Sequence, residues 1–259
     1  KVTYGRMPNF GIMPLSQTLD SPGPFAKTVR DSILLFDVMD GRENWEVIRD
    51  HDRGLNNFCS LERGVCGLKM GCLSEDERQH CSAETLDAYD DMLQKLQSKG
   101  AIIQIFKNPV PYGELADRNG AITSVEAYSN HRRLYEDEKR QTDSDVRARM
   151  LSGKQYAAYE YFDMLNRRRI DIKSFHSQMQ GFDVLITPTT IDRAPILDEV
   201  NQEIAPSYYT RPFNYLDMCA ISIPIGLDSM GLPKSIQVIA KPNQEHSIFR
   251  VGVTVETLV

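Results

Sequence analysis

Residues able to act as nucleophiles, bases or metal ligands occur throughout the chain, but without a familiar catalytic spacing. The five histidines form no H-E-x-x-H pair, and no G-x-S-x-G elbow, S-x-x-K pair or phosphate-binding glycine loop is present. The five cysteines lack the C-x-x-C spacing that holds zinc tetrahedrally. The cysteines are Cys59, Cys66, Cys72, Cys81 and Cys219. Because these motifs are missing, the sequence predicts no metal site and no cofactor, and it identifies no activated nucleophile.

Two charged runs could in principle take part in chemistry. Asp50-His51-Asp52 contains two members of a catalytic triad, but adjacent residues point in different directions and no nucleophile accompanies them. Arg167-Arg168-Arg169 follows a helical apolar stripe, which predicts a solvated outer face with salt bridges to Asp163 or Asp171. Neither run is expected to carry out catalysis.

The composition excludes several classes of protein. Hydrophobic residues make up 41% of the 259 residues and charged residues 25%, which is typical of a globular protein. The net charge of −6 argues against direct nucleic-acid binding, which needs a basic surface. No apolar run reaches the ~20 residues that span a membrane, and no signal peptide is visible. The odd number of cysteines favours reduced thiols and a cytoplasmic location.

The elements that must position any site alternate between helices and strands. Helices are predicted at about 25–39, after Ser82 as far as Gly100, and over much of 119–180. Strands are predicted at 68–72, in "AIIQIF", and in three later segments. The three later segments are "FDVLITPTT", "CAISIPIGL" and "KSIQVIAKP". This order predicts an α/β fold: a mixed, largely buried β-sheet covered by helices, in one domain.

Three sequence blocks together resemble the amidase signature family. The first block is "KVTYGR" followed by "GIMPLSQTLDSPGPFAKTVRD", the second is "FDVLITPTT", and the third runs from "PFNYLDMCAISIPIGL" to "GLPKSIQVIAKPNQEHSIFRV". The blocks occur in the family's order and at suitable distances. The stretch between the first two, residues 42–180, is similar only loosely.

The resemblance implies that the catalytic residues lie outside this chain. The family hydrolyses amides with a Ser–cis-Ser–Lys triad that precedes the first block, so Lys1 is not the catalytic lysine. Residues 1–259 are therefore expected to form the C-terminal portion of a single amidase signature domain whose N-terminal part is missing. No catalytic residue is assigned within the chain.

The resemblance also implies a reaction and its alternative. The intact protein is expected to hydrolyse a small carboxamide, a C–N bond other than a peptide, through an acyl-serine intermediate. The alternative is the A subunit of a glutamine-dependent aminoacyl-tRNA amidotransferase, which works with a companion protein. The third class is a noncatalytic interaction module. The expected partner is a small amide, with no direct nucleic-acid or membrane contact, and a homodimer is left open.

Site residues follow from the same resemblance. The family's substrate cavity is lined by the segment before the Phe-Asn block, which corresponds here to Ile204, Ser207, Tyr208 and Arg211. The alternative is that this variable segment is a surface loop, in which Arg211 is exposed and interacts with Glu203 or with solvent. Pro212 predicts an extended backbone at Arg211.

Arg6 and Asp20, the ionisable residues of the first block, are expected to make structural ion pairs or hydrogen bonds near the site. The resemblance also implies that amidotransferase A subunits tend to place an acid in the neighbourhood of Ser207; no such acid is obvious here, which weighs against that alternative.

Overall fold

A five-stranded mixed sheet forms the centre of the computed structural model, which describes residues 1–41, 61–200 and 206–259. The strand order is β2-β1-β3-β5-β4, with β1 parallel to β2 and β3, and β5 antiparallel to β3 and β4. The strands are β1 (Lys69–Cys72), β2 (Ile102–Ile105), β3 (Val184–Pro188), β4 (Cys219–Leu227) and β5 (Pro233–Ala240). The α/β class with a mixed sheet and helices, expected from the sequence, is confirmed.

Eight α-helices accompany the sheet in the described ranges. They are α1 (Val29–Met39), α2 (Glu75–Arg78), α3 (Ala83–Ser98), α4 (Tyr112–Tyr135), α5 (Ser144–Leu151), α6 (Ala158–Gln178), α7 (Arg211–Tyr215) and α8 (Glu245–Glu256). Helix α3 begins where the sequence predicts, because the Ser82 hydroxyl accepts a hydrogen bond from Thr85 N. It ends before Gly100, whose φ of +89° only glycine adopts easily.

The core lies around the central strand β3, in which every residue is buried. Gly71 on β1 allows this close packing, because a Cβ atom there would lie 2.4 Å from the Leu185 side chain. The edge strand β2 differs from the largely buried sheet that the sequence predicts, since Ile102 and Ile105 are exposed. Strand β2 pairs with β1 along one edge only, and the described helices leave part of the β2 surface uncovered.

The arginine run on α6 is only partly a solvated face. Arg167 pairs with the buried Asp171, as expected, at 3.2 Å. Arg168 is instead largely covered, with 14% of its side chain exposed, and its Nε donates to the Tyr215 carbonyl oxygen at 2.7 Å. Helical geometry explains the difference, because consecutive residues on a helix point about 100° apart and cannot all face solvent.

Within residues 1–41, 61–200 and 206–259, every helix is too short or too polar to span a membrane. Over the same ranges, no group of three or more histidine, cysteine and acidic side chains is arranged to hold a metal ion.

Candidate functional site

A cleft of about 310 Å³ lies beside the outer edge of β4. One wall is the loop from Ser21 to Ala26, and another is formed by Phe36 of α1 and Phe249 of α8. The floor includes Lys1 and the segment Ala220–Ser222 of β4. Apolar and aromatic walls with a few polar groups are typical of a small-molecule binding cleft.

A largely buried ion-pair network supports one side of this cleft. The Arg6 guanidinium donates to both carboxylate oxygens of Asp40, at 3.0 and 2.9 Å, and to Glu245 at 2.5 Å. It also lies 4.7 Å from the centre of the Phe36 ring. The Asp40 hydrogen bond is the largest cause that raises the pKa of Arg6. Arg6 thus joins the first loop to α1 and α8, and Glu245 itself lines the cleft.

Asp20 fixes the loop that leads into the cleft. Its carboxylate accepts hydrogen bonds from the backbone amides of Leu15 and Ser16, at 2.8 and 3.0 Å. The buried Glu126 of α4 holds the same loop, accepting from Ser16 Oγ and from the amide and hydroxyl of Thr18. The loop conformation therefore depends on two carboxylates.

Lys1 is one of the residues that line the cleft. The side-chain ammonium group of Lys1, Nζ, donates to the Val2 carbonyl oxygen at 2.7 Å. Burial lowers the pKa of this side chain to about 8, and Asp217 partly opposes the shift. The Lys1 backbone bonds to Ala220 of β4 in both directions.

The predicted substrate-binding segment lies elsewhere, against α2 and α4. The Tyr208 hydroxyl donates to the buried Glu77 carboxylate at 2.9 Å, and its ring lies 4.6 Å from that of His80. Burial first, and then the Glu77 charge, raise the pKa of Tyr208. The Ser207 carbonyl oxygen accepts from the amides of Thr210 and Arg211 and so leads into α7.

Arg211 is the first residue of α7, so the expectation of an extended backbone there is wrong. Pro212 occupies the first turn, where its missing N–H is not needed and a helix can start on it. The half-buried guanidinium lies beside Gly120 of α4, and burial lowers its pKa. The nearby Arg149 lowers the pKa further, whereas Asp117 raises it.

The sequence-predicted residues therefore fall into two groups. Arg6 and Asp20 support the cleft and its loop, whereas Ser207, Tyr208 and Arg211 line none of the cleft. Ile204 lies outside the described residues. Glu245 and Asp40 were missed as partners of Arg6. Glu245 stands in the first turn of α8, where acidic residues are favoured, but that signal does not reveal its partner.

Within the described ranges, no serine, threonine or cysteine side chain forms a hydrogen bond with a lysine or histidine side chain. Ser222, at the cleft, bonds instead to the Thr189 hydroxyl at 2.8 Å. Acyl transfer requires a nucleophile paired with a base. The described cleft therefore offers binding surface and support rather than a nucleophile.

Comparison with known proteins agrees with the fold and the sequence blocks. The family model described as Amidase matches residues 1–249. The chain belongs to this family, as the sequence resemblance predicted.

Similar proteins are longer than this chain. The A subunit of glutamyl-tRNA(Gln) amidotransferase from Alkaliphilus metalliredigens is 27% identical over 290 residues, which cover 99% of this chain and 58% of that protein. A crystal structure of an amidase matches with a TM-score of 0.84 and 21% identity, covering 100% of this chain and 57% of the other. The structure of the Thermotoga maritima A subunit matches with a TM-score of 0.74 and 24% identity over 99% of this chain and 57% of its own. The chain thus spans less than two thirds of each of these relatives.

Proposed function

We propose that this chain is the C-terminal portion of an amidase domain that hydrolyses a small carboxamide. The match of the Amidase family over residues 1–249 carries this proposal. The serine nucleophile, the bridging serine and the lysine would come from outside residues 1–259. This chain would supply the supporting network around Arg6 and part of the substrate cavity. The acyl-serine route needs no metal or cofactor.

Arg211, Tyr208, Ser207 and Ile204 are proposed to face the substrate in the complete domain. Arg211 supports this because its half-buried guanidinium has no hydrogen bond or ion pair with the described residues, and it retains five donors for a carboxylate or carbonyl group. Tyr208 is less available, since its hydroxyl is already bound to Glu77. Arg211 is therefore the residue on which a test of substrate binding should concentrate.

Activity of the complete domain provides the test. A protein that contains this chain within a complete amidase domain should release ammonia from small carboxamides and react with a fluorophosphonate. The 259-residue chain alone should remain unlabelled. Stoichiometric labelling of the chain alone would overturn the position assigned to the nucleophile. Absence of amide hydrolysis by the complete domain would overturn the proposed activity.

A glutamine-dependent amidotransferase A subunit is the second candidate. Its support is that curated relatives carry this name, such as the Alkaliphilus metalliredigens protein. Such subunits tend to place an acid in the neighbourhood of Ser207, and the lack of an obvious acid there weighs against this candidate. Ammonia release from glutamine that requires a companion protein would favour this candidate. Hydrolysis of simple amides by the complete protein alone would favour the first.

A further inference from the structure

Helix α6 presents an outer face that contains three large apolar side chains. Tyr159 is 69% exposed, Phe162 63% and Ile170 61%. On a helix with 3.6 residues per turn, these side chains lie within about 40° of Asn166, which is also exposed. Apolar side chains of this size gain free energy when they leave water. A continuous stripe of them along a helix is typical of a surface that another helix covers.

This face matches itself when a second copy of α6 lies antiparallel to the first. A twofold axis beside Asn166 would bring together residues at equal distances before and after it. Phe162 and Ile170, four residues to either side of Asn166, would then meet across the axis. Tyr159 and Lys173, seven residues to either side, would also meet, and an ammonium group is attracted to an aromatic ring. The apolar stripe would thus be covered by its own counterpart.

Asp163 and Arg169 add an ion pair to this arrangement. They stand three residues before and after Asn166, so each would face the other in the second copy. Within one chain they lie about 9 Å apart along the axis and about 120° apart around it, which prevents them from pairing. Asp163 forms no hydrogen bond or ion pair with the described residues, and Arg169 Nη1 donates to Asn166 Oδ1 at 3.0 Å. An antiparallel copy supplies Asp163 with a cation.

The order of charges along α6 favours antiparallel over parallel packing. The first half of the helix carries Glu160 and Asp163, and the second half carries Arg167–Arg169 and Lys173. Antiparallel packing places the acidic half of each copy against the basic half of the other. Parallel packing places like charges together, which is unfavourable.

We propose that the exposed face of α6, centred on Asn166, is the interface of a symmetric antiparallel dimer of this chain. The face is self-complementary, as the interface between two identical copies related by a twofold axis must be. Its apolar pair, Phe162 with Ile170, lies next to the axis, and the charged groups lie at the rim. Protein interfaces commonly have this arrangement of an apolar centre and a polar rim.

Charge reversal tests the contact between the two copies. Asp163→Arg and Arg169→Asp should each raise the dimer Kd by about tenfold or more, measured by sedimentation equilibrium. The doubly reversed protein should return to within about threefold of the original Kd, because each copy again offers opposite charges to the other. Since Asp163 and Arg169 do not meet within one chain, this recovery distinguishes a dimer contact from a structural role.

Phe162→Ala tests the apolar centre of the interface. It should raise the dimer Kd by about 30-fold or more, because a few central aromatic side chains provide most of the binding energy of an interface. Phe10→Ala is the matched control. It removes an aromatic side chain that is 99% exposed in the first loop, and it should leave the dimer Kd unchanged.

Four results would overturn the proposed interface. A chain that remains monomeric at about 100 μM would exclude the dimer. A dimer that Phe162→Ala does not weaken would use another surface. A doubly reversed protein as weak as the single variants would exclude the contact between Asp163 and Arg169. A complete amidase domain that is monomeric at the same concentration would indicate that the rest of the domain covers α6.

Discussion

Arg6 and Glu245 form a largely buried ion pair, 2.5 Å between Nη1 and Oε2, across a sequence separation of 239 residues. The Glu245 side chain is only 1% exposed and also accepts a hydrogen bond from Thr3 N at 2.9 Å. Because Arg6 also binds Asp40, one guanidinium connects the first loop, α1 and α8. The pair thus holds together the elements that form the cleft.

Removing the Arg6 charge should destabilise the protein strongly. Arg6→Met leaves Glu245 buried without its cation and should lower the free energy of unfolding by about 3–5 kcal/mol. Urea denaturation measures this change. Lys154→Met, which breaks the exposed pair with Glu136, is the control and should have a much smaller effect, because solvent screens this pair. Equal effects of the two substitutions would contradict a buried network.

Glu126 should control the order of the first loop. Glu126→Ala removes the acceptor for Ser16 and Thr18 and should lower the free energy of unfolding by about 1–3 kcal/mol. Amide hydrogen exchange at Thr18 should become faster, whereas exchange in β3 should not change. Tyr128→Phe removes an exposed hydrogen bond to Glu136, away from this loop, and is the matched control on the same helix. An unchanged rate of hydrogen exchange at the Thr18 amide in Glu126→Ala would show that Glu126 does not order this loop.

Tyr208→Phe distinguishes support from substrate binding. The Glu77 carboxylate, 5% exposed, would lose one of its donors, which should cost about 1–3 kcal/mol of unfolding free energy. Tyr128→Phe, which removes an exposed hydrogen bond to Glu136, should have a much smaller effect. A loss of stability with an unchanged KM in the complete domain would assign Tyr208 to support alone.

Arg211→Met tests the proposed recognition of the substrate. In a complete amidase domain it should raise KM for an acidic or polar amide about tenfold or more, the loss of one charge-assisted hydrogen bond of about 1.5–3 kcal/mol. KM for an apolar amide should change little. Arg149→Met, which alters the neighbouring charge on α5, is the control for the local potential. If Arg211→Met and the unsubstituted protein had the same KM for every amide, Arg211 would not be a substrate-binding residue.

Two cysteines should differ in reactivity and in their effect on stability. Cys66 is exposed, whereas Cys219 is buried and burial raises its pKa to about 12. Iodoacetamide at pH 8 should therefore modify native Cys66 quickly and Cys219 only after unfolding. The folded pKa of Cys219 lies above its unfolded value of 9.0, so its contribution to stability should be lost as the pH rises from about 9 to 12. Cys219→Ala should reduce this loss, and rapid labelling of native Cys219 would contradict its burial.

The sequence by itself determined the local elements and the family. Ser82 and Gly100 mark the ends of α3 because capping depends on a few adjacent residues. Alternating strands and helices indicated the α/β class, and the three sequence blocks indicated the Amidase family. These signals are local or depend on residue order, so they can be recognised without coordinates.

Only the tertiary structure decided which residues meet. Arg6 and Glu245 are joined through the packing of α8 beside the first loop, and no spacing rule predicts a contact across 239 residues. Arg211 begins a helix, although the residue before a proline tends to be extended, because packing and the first-turn position of Pro212 outweigh that preference. The exposed face of α6 likewise depends on which side of the helix packs against the core, and that packing leaves Phe162 facing outward.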